Sequence, residues 1–254
     1  MSDLRDKVIL LTGSGGGIGR ASALVFAQAG ARVVLTDVNA DAGHQALEAL
    51  KEIGADAMFI PADLSQESEI AALVEQTVVH YGRLDGAFNN AGTAQHGVPL
   101  HELTTEQWSM TIHIDLTTVF WCMKYEIKAM LPQGSGAIVN TSSGLGARAI
   151  ANAAEYIAAK HGVIGLTRAA AVEYSRQGIR SNAVLPGIIE TPMVRQLATD
   201  PGFLAFLGEL KARHPIGRFG KPSEIGEAAK WLLSDAASFV NGEAFAVDGG
   251  YLAN

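Results

Sequence analysis

The chain has 254 residues, of which 48% are hydrophobic and 18% are charged, and this composition predicts one domain with a large apolar core. Its formal net charge of −7 argues against nucleic acid and anionic membranes as main partners. No apolar run approaches the roughly 18 residues that a membrane span requires.

Cysteine and histidine usage narrows the expected environment. A single cysteine, Cys122, excludes an internal disulfide and fits a reducing compartment. The polar stretch from Met1 to Lys7 leads directly into the first apolar run, so we expect no signal peptide and a cytoplasmic protein. The seven histidines are scattered without metal-ligand spacing, so no metal site is expected.

Seven short apolar runs alternate with helical segments along the chain. The runs lie near residues 7–11, 32–36, 56–60, 84–88, 136–141, 179–185 and 243–247. This alternation predicts a parallel sheet of about seven strands with helices on both faces. Right-handed crossovers then give a single α/β domain of the doubly wound, Rossmann-like type. Its ligand crevice should lie at the carboxyl ends of the strands.

A glycine-rich loop, Thr12-Gly-Ser-Gly-Gly-Gly-Ile-Gly19, lies between the first strand and the first helix. Glycines permit positive φ and let backbone N–H groups approach a pyrophosphate at the helix N-terminus. The loop therefore predicts a dinucleotide site rather than a simple tight turn, and its candidate ligands are Gly13, Gly16, Gly17, Ile18 and Gly19.

The second strand ends at Asp37, eighteen residues after Gly19. A carboxylate at about this interval can accept hydrogen bonds from the adenosine ribose and repels a 2′-phosphate. The glycine loop contains no lysine or arginine, and Val38 follows Asp37. We therefore predict NAD rather than NADP, although an aspartate that starts a turn is the plainer interpretation of Asp37.

Three further residues have the side chains needed for acid–base chemistry on an alcohol or a ketone. Ser143, Tyr156 and Lys160 are spaced so that Tyr156 and Lys160 share one face of a helix. A neighbouring ammonium stabilises a phenolate, so Tyr156 can act as a general base towards an alcohol or as a general acid towards a ketone. Ser143 would donate a hydrogen bond to the substrate oxygen. Together with the glycine loop, this group predicts dinucleotide-dependent alcohol oxidation or carbonyl reduction.

In order and spacing, these motifs resemble the short-chain dehydrogenase/reductase family from about Lys7 onwards. The resemblance implies that Asp63 and Leu64 contact adenine and that Asn90, Ala91 and Gly92 pack on the adenosine ribose. It also implies that Lys160 reaches the nicotinamide ribose and that the protein is a homotetramer. The nicotinamide carboxamide would be held by the segment that carries Pro186, Gly187, Ile189 and Thr191. Ser142 competes with Ser143, and the thirteen-residue interval to Tyr156 favours Ser143.

One position departs from the family pattern, since Asp115 stands where most members have asparagine. In the family this residue holds a water through its backbone carbonyl, in a proton relay to the lysine. Aspartate keeps that carbonyl and adds a charge that can stabilise Lys160, so we expect Asp115 to function in the site. An alternative alignment would place His113 in the relay.

Residues 188–215 interrupt the alternation of strands and helices, and the resemblance implies a substrate lid here. An ordinary helical hairpin packed on the core would give the same pattern. Pocket candidates are mostly apolar and favour a hydrophobic or alicyclic alcohol; they are Gln95, Leu145, Ile150, Ile188, Met193 and Leu197. Framework phrases such as residues 214–219 and 232–239 also resemble bacterial cyclohexadienediol dehydrogenases.

Three functions remain open at this point. The first is an NAD-dependent secondary-alcohol dehydrogenase. The second is an NADPH-dependent ketoreductase such as a 3-oxoacyl-carrier-protein reductase, which Asp37 disfavours. The third is a non-catalytic dinucleotide-binding protein. Retention of Ser143, Tyr156 and Lys160 argues against that third function, and only Asp115 supports it.

Overall fold

The computed structural model describes residues 3–191, 208 and 211–254. Seven parallel strands form one sheet in the order β3-β2-β1-β4-β5-β6-β7. Their bounds are β1 Val8–Thr12, β2 Arg32–Thr36, β3 Ala57–Phe59, β4 Gly86–Asn89, β5 Gly136–Thr141, β6 Ile179–Pro186 and β7 Ala244–Val247. The prediction of a single doubly wound parallel sheet of about seven strands is confirmed, and the strand order reverses between β1 and β4.

Helices cover both faces of this sheet. They are α1 Gly17–Gln28, α2 Ala40–Glu52, α3 Glu67–Tyr81, α4 Thr105–Ile112, α5 Thr118–Met130, α6 Ala154–Tyr174 and α7 Pro222–Leu233. A π-helical turn, His113–Thr117, joins α4 to α5 without a break in the helical path. Since π-helical turns inside helices are frequent at functional sites, residues 113–117 are candidates for a functional site.

The core is divided into two layers by the sheet. Along β1, Ile9 and Leu11 belong to one apolar cluster, whereas Val8 and Leu10 belong to the other. Every β1 residue is buried, because helices lie on both sides. This explains why the strand is a continuous apolar run instead of an alternating one. Cys122 is buried in the second layer, and burial raises the pKa of its thiol well above the ordinary value.

A polar network lies inside the second layer, between the sheet and helices α5 and α6. Asn89 Nδ2 donates to Glu126 Oε2 and to Asn140 Oδ1, each at 3.0 Å. Asn140 Nδ2 then donates to Thr167 Oγ1 at 3.0 Å. Burial raises the pKa of Glu126 to about 8, against the opposing hydrogen bond from Asn89. The core therefore contains a carboxyl group that is neutral at pH 7.

Some expectations fall on residues that are not described. Most of the predicted lid, including Met193 and Leu197, lies outside the described residues. Among the residues that are described, no helix is long and apolar enough to cross a membrane. Within the same residues, no group of His, Cys, Asp and Glu side chains is arranged to hold a metal ion.

Candidate active site

The glycine loop makes a tight connection from β1 into α1. Gly13 has φ +68°, a conformation that favours glycine, and a Cβ there would lie 3.0 Å from the Ala91 Cα. A Cβ on Gly19 would collide with the carbonyl oxygen of Gly13. These two glycines therefore let the loop fold closely against the segment that follows β4.

Thr12 joins the glycine loop to that neighbouring segment. Its hydroxyl oxygen accepts from the backbone N–H groups of Asn90 at 2.9 Å and of Ala91 at 3.1 Å. Asn90 Nδ2 in turn donates to the Thr12 carbonyl at 3.2 Å. The fold thus brings two predicted cofactor segments together at the point where the strand order reverses, the usual ligand position in this architecture.

The start of α1 fits a pyrophosphate. Gly16 is the N-cap and has no side chain to cap the helix, and the first turn carries no acidic residue. Its unpaired N–H groups and the positive end of the helix dipole are therefore open to an anion. Gly17 and Ile18 are the first residues of this turn.

Asp37 lies against the glycine loop and also starts a turn. Its Oδ2 accepts from the Gly15 N–H, and its Oδ1 accepts from the Asn39 N–H, each at 2.9 Å. The hydrogen bond from Asn39 is the turn that the sequence suggested, and binding of a ribose by Asp37 stays a prediction. Each carboxylate oxygen keeps lone-pair capacity for a ribose hydroxyl.

Asp63 and Leu64 follow β3 on the same side of the sheet. Asp63 Oδ1 accepts from the Ser65 N–H at 2.9 Å. Hydrogen bonds from the Ser65 side chain and backbone hold the pKa of Asp63 below its ordinary value. The Leu64 carbonyl accepts from the Thr118 hydroxyl at 3.2 Å, which ties this segment to α5.

Lys160 and Asp115 form a buried ion pair beside Tyr156. Lys160 Nζ lies 2.9 Å from Asp115 Oδ1, and the two side chains are 4% and 0% exposed. The ammonium also lies 5.4 Å from the ring centroid of Tyr156 and donates to the Thr141 carbonyl at 3.3 Å. Burial by itself lowers the pKa of Lys160, but the charges of Tyr156 and Asp115 outweigh it and raise that pKa above its ordinary value.

The carboxylate of Asp115, rather than its backbone carbonyl, makes this contact with Lys160. The residue lies in the π-helical turn. Thr93 holds its side chain, with a backbone N–H donating to Oδ1 at 3.1 Å and a hydroxyl donating to Oδ2 at 2.6 Å. His113 is directed elsewhere, with Nε2 3.0 Å from the Ser65 carbonyl oxygen. Of the two relay alternatives, only Asp115 contacts Lys160.

The two serines after β5 have different environments. Ser142 is buried, and its hydroxyl donates to the Lys160 carbonyl at 2.9 Å. Ser143 is half-buried and begins the short helical turn Gly144–Gly146, where its Oγ accepts from the Leu145 N–H at 3.1 Å. That interaction leaves the Ser143 O–H hydrogen available to a substrate.

The segment after β6 carries the residues predicted to hold the nicotinamide. The Gly187 N–H donates to the Val247 carbonyl at 3.2 Å, and the Ile188 N–H donates to His214 Nε2 at 3.1 Å. Ile189 pairs with Gly220 in an isolated bridge, and the Thr191 N–H donates to the Ile189 carbonyl at 2.8 Å. Pro186 ends β6. The predicted nicotinamide segment is therefore fixed in place by its backbone.

Two cavities accompany the predicted substrate residues. One, of about 310 Å³, is lined by Gly187, Ile188 and Ile189 among others. The second, of about 600 Å³, includes Ile150 together with Pro99 and Leu100. Leu145 is half-buried beside Ser143, and Gln95 is exposed on the segment after β4.

Sequence reasoning missed three contributors. Thr93 directly follows Asn90-Ala91-Gly92, but nothing in the sequence indicates that its hydroxyl meets Asp115. Glu155 precedes Tyr156 and contacts His96 from a buried position. His214 lies at the end of the predicted lid and in the framework phrase of residues 214–219, neither of which indicates a contact with the segment after β6. Its ring stacks on Tyr251 at 5.3 Å while it accepts from Ile188.

Comparison with known proteins places this geometry in a family. A family model described as enoyl-(acyl carrier protein) reductase matches residues 13–252. The chain is 46% identical, over 100% of both chains, to 2,5-dichloro-2,5-cyclohexadiene-1,4-diol dehydrogenase of Sphingobium indicum. It is also 46% identical to cis-4-hydroxycyclohexanecarboxylate dehydrogenase of Sinomonas cyclohexanicum, over 98% of this chain and 97% of that one.

Solved structures agree with the fold. Levodione reductase superimposes with a TM-score of 0.94 at 40% identity, covering 98% of each chain. An actinorhodin polyketide ketoreductase crystallised with NADPH gives a TM-score of 0.92 at 38% identity, covering 98% of each chain. Fold, site and relatives define an oxidoreductase that uses a nicotinamide dinucleotide. The chain belongs to the short-chain dehydrogenase/reductase family.

Proposed function

We propose that this protein is a dehydrogenase that oxidises apolar or alicyclic secondary alcohols to ketones with NAD. The observation that carries the proposal is the buried Lys160–Asp115 ion pair, whose ammonium lies 5.4 Å from the Tyr156 ring centroid. A cation held at this distance stabilises a phenolate at little cost in reorganisation. Tyr156 can then act as the general base for an alcohol.

The reaction divides into a proton transfer and a hydride transfer. The alcohol O–H proton would pass to Tyr156 Oη, and bound NAD would supply the acceptor for the hydride on the carbinol carbon, so that a ketone and NADH result. Ser143 would donate a hydrogen bond to the substrate oxygen, and Lys160 would stabilise the phenolate and bind the nicotinamide ribose. Reduction of a ketone follows the same steps in reverse, with Tyr156 as the general acid.

Asp37 supports the choice of NAD. Its carboxylate lies against the glycine loop, where a 2′-phosphate would meet a negative charge and a ribose hydroxyl would find an acceptor. We expect roughly 100-fold higher kcat/KM with NAD than with NADP, which corresponds to a few kcal/mol. Asp37→Ala should weaken NAD and relax this ratio, whereas equal efficiency of the wild type with both dinucleotides would refute the assignment.

An activity panel tests the whole proposal. The purified protein is assayed with NAD and NADP against cyclohexanol, cis-4-hydroxycyclohexanecarboxylate and a phosphorylated sugar alcohol, and with NADH and NADPH against cyclohexanone. The relatives with 46% identity carry names that specify ring alcohols, which supports the first two compounds. We expect NAD-dependent oxidation of the ring alcohols, and the phosphorylated compound should be inert.

A biosynthetic NADPH-dependent ketoreductase is the second candidate. It is supported by the likeness to a polyketide ketoreductase crystallised with NADPH. In the same panel it predicts reduction with NADPH and little oxidation with NAD. A protein that binds dinucleotide but turns over no compound would support the third, non-catalytic function.

We also propose a cytoplasmic homotetramer. Apolar side chains stay exposed on three successive helices, with Met110 57%, Phe120 46% and Val172 84% accessible on α4, α5 and α6. The proposal of a tetramer rests on the family resemblance, and we propose that contacts between subunits cover these three side chains. Light scattering coupled to gel filtration gives the molar mass, and a monomer near 26.7 kDa would contradict the tetramer.

A further inference from the structure

Two buried carboxylates hold the segment that follows β4. We call residues 93–100 the rim loop. At its start, Thr93 donates its N–H and hydroxyl to Asp115. Three residues later, the His96 N–H donates to Glu155 Oε1 at 2.8 Å, and His96 Nδ1 lies 3.3 Å from the same oxygen. Each anchor thus combines a backbone amide with a side chain from the loop.

Glu155 is an unusual residue for this task, because its side chain is 0% exposed. Burial by itself would raise the pKa of Glu155, but hydrogen bonds from the backbone N–H groups of His96 and Glu155 and from the His96 side chain outweigh it and hold that pKa below its ordinary value. The second carboxylate oxygen, Oε2, is buried and has no hydrogen-bond partner among the described residues. Since a buried charge is costly unless it is hydrogen-bonded, the contacts from the rim loop, together with the backbone N–H of Glu155, stabilise the carboxylate.

The position of Glu155 connects the rim loop to the catalytic helix. Glu155 directly precedes Tyr156 near the start of α6. The rim loop ends at Pro99 and Leu100, which line the 600 Å³ cavity together with Ile150. Between the two anchors, Ala94 and Gln95 are exposed, and Gln95 is a predicted substrate residue. The contact between Glu155 and His96 therefore ties the helix that carries the base to the loop that carries Gln95.

We infer that Glu155 is a positioning residue that sets the affinity for the alcohol by holding the rim loop at His96. This inference rests on the proposed function and deepens it, because it assigns substrate affinity to a side chain outside the reacting group. Asp115 holds the loop at Thr93 and contacts Lys160, whereas Glu155 holds the loop at His96, next to the predicted substrate residue Gln95. The two anchors should therefore affect different kinetic constants.

Two conservative variants distinguish the effect of the side-chain length of residue 155 from the effect of its charge. Glu155→Asp keeps the charge but withdraws the acceptor by one methylene, whereas Glu155→Gln removes the charge and keeps an oxygen at the same reach. We expect Glu155→Asp to raise KM for a turned-over ring alcohol about tenfold, with kcat within about threefold. Glu155→Gln should stay within about threefold of wild type in both constants. Glu173→Asp, exposed on the same helix, is the control.

A second measurement does not depend on turnover. Amide hydrogen exchange in the apo protein should be at least about tenfold faster at His96 in Glu155→Asp than in wild type, and nearly unchanged in Glu155→Gln. NADH affinity, measured by fluorescence titration, should be unchanged in both. Circular dichroism melting shows whether each variant is folded.

Three results would overturn the inference. The first is a KM that depends on the charge of residue 155 and not on its length, so that KM is raised in Glu155→Gln and normal in Glu155→Asp. The second is faster amide hydrogen exchange at His96 in Glu155→Asp with a KM equal to that of wild type. The third is a His96 amide that exchanges at the wild-type rate in Glu155→Asp. If wild type oxidises no alcohol, the proposed function fails, and the exchange experiment still decides whether Glu155 anchors the loop.

Discussion

At the scale of single residues, Tyr156 and Lys160 have different roles in the proposed reaction. The Tyr156 hydroxyl is proposed to exchange the proton, while Lys160 is buried and paired with Asp115. We predict that Tyr156→Phe lowers kcat by ~10²–10⁴-fold, the usual contribution of general acid–base catalysis, and leaves NADH binding within about twofold. Steady-state kinetics and fluorescence titration check both parts. A variant that keeps more than about a tenth of the wild-type kcat would show that another group transfers the proton.

Asp115 stands where the family resemblance leads us to expect asparagine, and its carboxylate raises the pKa of Lys160. In Asp115→Asn the neutral amide no longer favours the ammonium, so burial weighs more and the pKa of Lys160 falls. We predict that kcat changes only a few-fold at its maximum, while the alkaline limb of the profile of kcat against pH moves to lower pH.

The measurement is kcat with NAD and one alcohol across the alkaline range. Superimposable profiles for wild type and Asp115→Asn would mean that Asp115 is not electrostatically coupled to the reaction. A gain of about 100-fold or more in the variant would mean that the natural residue impairs a dehydrogenase, and would support the non-catalytic function.

At the scale of elements, the connection from β4 to the rim loop passes very close to the ion pair. A Cβ on Gly92 would lie 2.6 Å from Asp115 Oδ1 and 3.3 Å from Lys160 Nζ. We predict that Gly92→Ala lowers kcat at least about tenfold, because the methyl group would displace both the Asp115 carboxylate and the Lys160 ammonium, whereas Asp115→Asn leaves both side chains in place.

The matched control for Gly92→Ala is Gly165→Ala on α6, where a Cβ meets nothing within 4 Å. That change should preserve kcat and raise the unfolding midpoint slightly, since alanine favours a helix over glycine by about 1 kcal/mol. Equal kcat in Gly92→Ala and wild type would show that the ion pair tolerates displacement.

Strands and motifs could be predicted because their causes are local in sequence. A strand covered on both faces is a short apolar run, and a glycine turn needs particular residue types at fixed places. Position 115 could be identified from its distance to Trp108, but its direct contact with Lys160 could not. That contact depends on the π-helical turn and on Thr93, and an i→i−5 hydrogen-bond pattern has no sequence signature. The contact between Glu155 and His96 joins residues 59 positions apart, so it could not be predicted from the sequence either.

At the scale of the whole molecule, Glu126 links stability to pH. The folded chain keeps its carboxyl group protonated up to a pKa of about 8, whereas an unfolded chain ionises it near 4.5. The folded state therefore holds a proton that the unfolded state releases, and stability falls as pH rises through this window. We predict that Glu126→Gln, which keeps an oxygen for Asn89, removes this loss.

The expected difference between Glu126→Gln and wild type is on the order of several kcal/mol at pH 9 and small at pH 5. Urea unfolding at both pH values checks it, with Glu75→Gln on the exposed face of α3 as the control. A variant that loses stability equally at both pH values would show that Glu126 acts through packing instead of ionisation.

The burial of Cys122 gives the molecule a built-in reporter of its own opening. The thiol is 3% exposed, and its raised pKa keeps it protonated, so a thiol-specific reagent cannot react with it while the core is closed. Because the chain contains no other cysteine, each labelling event records one excursion of the second core layer to solvent. The labelling rate therefore reports the population of the open state when the core closes faster than the reagent reacts, and the rate of opening when the reagent reacts faster, without denaturant and without an introduced probe.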